Sequence, residues 1–389
     1  MSKQQSRQEF LALADKAYFN YGGQGPMPRG VRDAIFDAYD RIQEMGPFSG
    51  KSGEWVEAQI QQTRTAIAKD LGVTADTITL TEDVTVGCNI PLWGIDWQPG
   101  QHLLITDCEH QGIIAAVGEL QRRFGIEVSI APVMETLNDG DPVAVIERSL
   151  QPNTRLVVLS HILWNTGQVL PLADIVRVCH QYKTQGQPVQ VLVDAAQSVG
   201  VLPLNLAETG VDFYAFTGHK WWCGPEGAGG LYIRPEARPD VRPTFIGWRG
   251  VTLDKKGMPT GYESGGKQYE IATSAYPLYA GLQRAIDFHW QWGTAEERYE
   301  KLCRNSGRLW EKLRQVPQVT CLKAQPPEAG LVSFTISNGK HNRLVQFLES
   351  RGVFVRTIRN PDCVRACAHY FTTDGEIDRL VEGVEGFGG

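Results

Sequence analysis

Short segments rich in β-branched and apolar residues recur between stretches of helical spacing, at 77–80, 102–106, 128–132, 156–160, 189–193, 213–216 and 230–233. This alternation constrains the fold more than any other feature, because a strand that returns to its sheet through a helix runs parallel to its predecessor. The run Val191 to Val193 is apolar at every position rather than every second one, as expected of a strand covered on both faces. An α/β fold with a mostly parallel, mixed sheet follows. At 389 residues the chain exceeds what one core usually holds. Two domains are expected: a large one over 15–285, and a smaller α+β one over 286–389 with 1–14 packed against it.

Punctuation supports the early helices. Pro28 stands at a helix start before Val31, Ile35, Phe36, Tyr39 and Ile42 at helical spacing, and Gly46-Pro47 closes the run. A second helix is predicted over 52–71 and a later one over 277–292. The Gly-, Lys- and Asp-rich stretch 250–266 reads as a long loop. A net charge of -6 without a basic run argues against a nucleic-acid surface. Neither a signal peptide nor a stretch able to span a bilayer is apparent, so a cytoplasmic protein without membrane association is expected. The eight cysteines lack a CxxC pair, which predicts free thiols rather than disulfides or a metal site.

Three motifs carry chemistry. Phe216-Thr217-Gly218-His219-Lys220 follows a predicted strand. A lysine fixed and partly desolvated at a strand end can act as a nucleophilic amine and form an imine with an aldehyde cofactor. An isolated loop lysine is ordinarily solvated, so the neighbours decide. Val193-Asp194-Ala195-Ala196-Gln197 puts an acid at the C-terminal end of a buried strand, where open α/β sheets bind ligands. Facing a pyridine nitrogen, Asp194 would keep it protonated, and Gln197 could reach a phenolic oxygen on the same ring; alone, Asp194 reads equally well as a helix cap. Thr81-Glu82-Asp83-Val84-Thr85 lies between a strand and a helix, where free N–H groups could hold a phosphate, or where Thr and Asp simply cap.

Together with Asn20-Tyr21-Gly22-Gly23 and Glu109-His110, these motifs resemble, in order and spacing, the class V aminotransferases, which include the NifS-type cysteine desulfurases. Within that family the chain looks most like the cystine/cysteine C-S lyases. The resemblance implies the fold type I architecture of pyridoxal 5'-phosphate (PLP) enzymes. Lys220 matches the Schiff-base lysine, Asp194 and Gln197 the partners of the ring's nitrogen and oxygen, and Val84, Thr85, Thr217 and His219 the phosphate ligands. His110 matches the imidazole stacked on the ring. Asn20, Tyr21 and Gly22 fall beside the substrate. Tyr269-Glu270-Ile271-Ala272-Thr273 resembles the segment whose threonine reaches the neighbouring subunit's phosphate, which implies a homodimer. Arg356 and Arg365 match two family arginines, the second of which grips the substrate carboxylate, as the bidentate geometry of guanidinium suits.

The chain also departs from the family. Cysteine desulfurases carry a nucleophilic cysteine on a mobile loop between these arginines, whereas only eight residues, 357–364, separate them here. Cys363 is placed for packing rather than reach. Where many relatives have an asparagine near the ring oxygen, Trp164 aligns and Asn165 follows, so either could make that contact. The expected activity is therefore β-elimination of L-cystine, and possibly L-cysteine, to pyruvate, ammonia and a persulfide or sulfide. That sulfur could pass to an iron-sulfur acceptor protein. The alternatives are a cysteine desulfurase releasing alanine, an aminotransferase or epimerase of the same fold, and a non-catalytic binding protein.

Overall fold

The computed structural model describes residues 3–184 and 186–388. The predicted strands assemble into one seven-stranded sheet in the order Ile78–Thr81, Gly229–Ile233, Phe213–Thr217, Gln190–Asp194, Thr154–Ser160, His102–Thr106, Glu127–Ala131. Only Gly229–Ile233 runs against its neighbours; the other pairings are parallel. The unbroken apolar run now has its reason. Val191 and Val193 enter one core with Leu104, Val157 and Leu159, while Leu192 enters the opposite core with Leu103, Leu156 and Val158. Each of these side chains is buried, and burying an aliphatic side chain contributes roughly 1.5–3 kcal/mol.

Helices Arg29–Met45, Gly50–Leu71 and Tyr276–Trp292 pack together. Ser49 caps the second through Ser52 N, and Gly72, left-handed at φ 66°, ends it. Helix Val84–Gly94 crosses strands Gln190–Asp194, Phe213–Thr217 and Gly229–Ile233, with its N-terminal cap Asp83 beside Gly229, the register partner of Thr217 at the C-terminal end of its strand. No helix among the described residues is long and apolar enough to cross a membrane.

A separate core gathers the C-terminal residues around the antiparallel sheet Val319–Cys321, Leu331–Ile336, Asp362–Cys367, Arg356–Arg359. Ala17 and Phe19 join this core, and strand Ala17–Tyr18 pairs with Val353–Phe354, although those residues fall within the stretch expected to form the large domain. Nearby, Arg7 pairs with Glu376 and Phe10 packs on Phe371. The stretch expected as a long loop contains a ribbon instead: Val251–Leu253 pairs with Pro259–Tyr262. Leu253, Met258 and Tyr262 on that ribbon are exposed, so burial left no pattern there for sequence reasoning to detect.

Candidate active site

Asp194 and Lys220 follow neighbouring parallel strands at the same sheet edge, and Ser160 is the register partner of Asp194 on the next strand. Beyond that edge lies a cavity of about 570 Å³. Its walls bring together Val84 and Thr85 from the crossing helix, Asp194, Gln197, His219 and Lys220 from the sheet edge, and His110 with Trp164 opposite. Gly22, Arg356 and Arg365 close it from the side of the C-terminal core.

The electrostatics favour imine chemistry at Lys220. Burial pushes its amine down to about 8; the Asp194 carboxylate pulls upward, and the guanidinium groups of Arg365 and Arg356 push further down. A neutral amine is thus accessible near physiological pH, which an exposed lysine does not offer. Asp194 is held by Ala196 N at 3.0 Å on one oxygen. Gln197 accepts from Trp221 Nε1 at 2.8 Å and donates to Gly22 O at 2.9 Å, so one amide hydrogen remains for a ligand. Gly22 must lack a side chain: a Cβ there would lie 2.9 Å from Cys367 Sγ and 3.0 Å from both Arg365 Nη2 and Gln197 Oε1.

His110 caps helix Gln111–Phe124, its Nδ1 accepting from Gly112 N at 3.3 Å, and its ring stands edge-on to Trp164 with centroids 5.6 Å apart. Partial burial and the Lys220 charge lower its pKa, favouring the neutral ring. Asp83, not Thr85, caps helix Val84–Gly94, through Val86 N at 2.9 Å. Val84 and Thr85, the first two residues of that helix, line the cavity together with His219. Thr217 lies beneath the surface, fully buried, and its hydroxyl bonds His219 Nδ1 at 2.7 Å, which leaves Nε2 as the free nitrogen. Thr217 therefore orients His219 rather than lining the cavity.

Other expected residues stand elsewhere. Tyr21 is buried behind the wall, stacked on Trp221 and His369, and Asn20 bridges Cys367. Neither lines the cavity among the described residues. Thr273 belongs to a separate groove of about 890 Å³, which Thr85 also borders. Asn165 turns away, donating to Asn360 O at 3.1 Å, while Trp164 lines the cavity. Arg365 is 2% exposed; its Nη1 donates to Trp164 O at 2.6 Å and its Nε has no partner. Arg356 and Arg365 are direct partners across an antiparallel ladder, where like charges repel unless an anion lies between them.

Several contributors were given no role by the sequence, Glu109 among them although it stands in the Glu109-His110 motif. Glu109, 4% exposed, accepts from Thr106 Oγ1, Ser160 N and Ser160 Oγ at 2.6, 2.9 and 3.0 Å, tying two strand ends beneath the cavity. Burial, with Asp194 nearby, lifts its carboxyl to about 8. The segment after Lys220 is locked by two buried imidazoles: His369 Nε2 meets Trp221 O at 3.2 Å and His289 Nε2 meets Trp222 O at 2.7 Å. A nitrogen facing a carbonyl must carry the hydrogen. Nδ1 of His369 then accepts from Phe371 N, and Nδ1 of His289 from the Tyr370 hydroxyl. Burial holds both rings neutral.

The arrangement fits PLP. An amine with a depressed pKa stands beside a buried carboxylate, a helix N-terminus and an imidazole suited to a phosphate line the cavity, and Arg356 and Arg365, which form no ion pair among the described residues, line it too. Comparison with known proteins agrees. The chain is 51% identical to a cystine C-S lyase solved in complex with its reaction product cysteine persulfide, over 98% of this chain and all of that one (100%), with a TM-score of 0.96. A mutant of that lyase with glycine covalently linked to the PLP cofactor superposes equally well, at a TM-score of 0.96. Among curated proteins it is 26% identical to a probable cysteine desulfurase of Methanothermobacter thermautotrophicus over 100% of this chain and 99% of the other. It is also 26% identical to isopenicillin N epimerase of Streptomyces clavuligerus, over 95% and 94% respectively. The Aminotransferase class-V family profile matches residues 17–379, and the chain belongs to that family.

Proposed function

We propose that the protein is a PLP-dependent carbon-sulfur lyase that converts L-cystine and water to pyruvate, ammonia and the persulfide thiocysteine. One observation carries the choice of elimination over desulfuration: among the described residues no cysteine lines the cavity. Cys363 is fully buried on strand Asp362–Cys367, and burial pushes its thiol up to about 12. A desulfurase needs a mobile, ionisable thiol at the substrate sulfur; this one is neither.

Lys220 would hold the cofactor, Asp194 its ring nitrogen, Gln197 its ring oxygen, and Val84, Thr85 and His219, oriented by Thr217, its phosphate. The bound cofactor supplies an electron sink for a carbanion at the substrate Cα. The Lys220 amine, when not joined to the cofactor, would act as general base for the Cα proton, and its depressed pKa keeps a neutral fraction available. Arg365 holds the α-carboxylate, with Arg356 across the ladder. Departure of a persulfide rather than a simple thiolate favours cystine over cysteine, because the more acidic leaving group carries the negative charge more readily.

In this reading residues 15–285 hold the cofactor and residues 286–389, with 1–14, complete the substrate side. Two copies pair so that Thr273 reaches the neighbouring phosphate. The shared border of the two cavities at Thr85 supports this pairing, as do the exposed apolar side chains of Phe245, Ile246, Trp248 and Ile271. Free cysteines throughout suit a reducing, cytoplasmic compartment, where an iron-sulfur acceptor protein could take the persulfide. The test is to incubate the PLP-loaded protein with L-cystine and, separately, L-cysteine and to identify the three-carbon product. Pyruvate with ammonia supports the lyase; alanine overturns it in favour of desulfuration.

A further inference from the structure

Lys220 lines the cavity, but Trp221, the next residue, lies behind its wall and is fully buried. The indole stands in a fixed slot. Tyr21 and His369 lie nearly parallel to it, at interplanar angles of 20° and 17° with centroids 6.0 and 5.9 Å away. Gly330 admits the far edge of the ring: a Cβ there would lie 2.6 Å from Trp221 Cη2 and 2.7 Å from Cζ3. The backbone is held as well, because His369 Nε2 donates to Trp221 O at 3.2 Å. From this slot Trp221 Nε1 donates to Gln197 Oε1 at 2.8 Å. A buried indole needs one acceptor, and many would serve. The one it has is a side-chain amide that lines the cavity.

An amide side chain has nearly the same shape either way round, but it presents a donor in one orientation and an acceptor in the other. Here the partners decide. The indole N–H can only donate and the Gly22 carbonyl can only accept, so Oε1 must face Trp221 and Nε2 must face Gly22 O, 2.9 Å away. Turning the amide over would set N–H against N–H and oxygen against oxygen on a side chain that water scarcely reaches. We infer that Trp221 is a positioning residue: by fixing the orientation of Gln197 it makes that side chain meet the ring oxygen of PLP as a hydrogen-bond donor and not as an acceptor. The inference rests on the assignment of Gln197 to the ring oxygen and adds what enforces it. A donor stabilises that oxygen in its charged form, whereas an acceptor opposes the charge. Tyr21 gains a role from the same contact, since it braces the ring whose N–H sets the amide.

The test uses the full-length protein freed of cofactor and measures by calorimetry its dissociation constants for PLP and for 3-deoxypyridoxal phosphate, in which hydrogen replaces the ring oxygen. The preference for PLP is compared in the wild type, Trp221→Phe, Gln197→Ala and the double variant. It should fall about threefold or more in Trp221→Phe, the scale of one weakened hydrogen bond, and Trp221→Phe should cause no further fall once Gln197 is alanine. A purely structural role would weaken both ligands alike and leave the preference unchanged. In the PLP-loaded proteins, the absorbance of the bound cofactor at fixed pH should also shift in Trp221→Phe toward the form with an uncharged ring oxygen. Should Trp221→Phe fail to fold, β-(3-benzothienyl)alanine at position 221 keeps the bicyclic ring and puts sulfur in place of the N–H, and the same fall is expected. An unchanged preference in a folded position-221 variant, with the preference lowered by Gln197→Ala, overturns the role of Trp221, as does an equal fall in the Gln197→Ala background. A preference that Gln197→Ala leaves unchanged instead removes Gln197 from the ring oxygen, and the inference about Trp221 with it.

Discussion

Replacing Cys363 separates elimination from desulfuration more sharply than any other single change. The thiol is fully buried, and its pKa is pushed up to about 12 from an ordinary 9.0, which lowers its thiolate fraction at neutral pH by about three orders of magnitude. A nucleophile so disabled cannot sustain turnover, and the thiol does not line the cavity in any case. Cys363→Ala removes one buried sulfur and should destabilise the protein by about 1 kcal/mol through lost contacts and a small cavity. Cys363→Ser keeps the size but buries a hydroxyl, for which Ser333 is an available partner. Both variants, loaded with PLP, should form pyruvate from cystine within about twofold of the wild-type kcat/KM, measured by coupling to lactate dehydrogenase, with a slightly lower melting temperature. If both keep their melting temperature yet lose pyruvate formation by about a hundredfold or more, the thiol takes part in the elimination and the reading of Cys363 as inert packing fails.

Three further changes probe the rest of the site. Lys220→Ala should abolish both the imine absorbance of the PLP-loaded protein and nearly all turnover; retention of either would remove Lys220 from its assigned role. Arg365→Lys keeps the charge but not the fork, so KM for cystine should rise about tenfold or more while Arg356 remains, and an unchanged KM would place the α-carboxylate elsewhere. Glu109→Gln tests linkage. Because the folded carboxyl is lifted from 4.5 to about 8, its stabilising contribution is fully present below about pH 4.5 and lost as pH rises through about 8. The amide, which can donate to the Ser160 hydroxyl as a protonated carboxyl would, should flatten the fall in melting temperature across that window; parallel pH profiles for the two proteins would contradict the assignment.

The large sheet was legible because burial on both faces writes itself into consecutive residues: Val191, Leu192 and Val193 enter cores on alternate sides. Asp194 and Lys220 were legible because each follows such a strand, and neighbouring parallel strands deliver their ends to one edge. What could not be read depends on partners distant in the chain. His369 reaches Trp221 and His289 reaches Trp222 across 148 and 67 residues, with no periodicity to announce either contact. Tyr21 and Thr217 stand outside the cavity lining among the described residues, and a motif gives a residue's order along the chain and not the direction of its side chain. Asn165 likewise bonds Asn360, which is 195 residues away in the chain.

The length of one hairpin ties these strands of argument together. Arg356 pairs with Arg365, Thr357 with Val364, Ile358 with Cys363 and Arg359 with Asp362, so the ladder closes down to a two-residue turn at Asn360-Pro361. Continuous pairing with Ile358 is what keeps Cys363 buried. Burial of the thiol is therefore a structural consequence of a short connection. Inserting a few glycine and serine residues after Asn360 should undo it, since loop closure grows only slowly more costly with length and the last rungs of the ladder would fray. Cys363 should then become reactive toward a thiol-modifying reagent in the folded protein, while the wild-type thiol stays unreactive. If the thiol remained unreactive after the insertion, the length of the hairpin would not be what buries it, and the contrast with a mobile desulfurase loop would lose its structural basis.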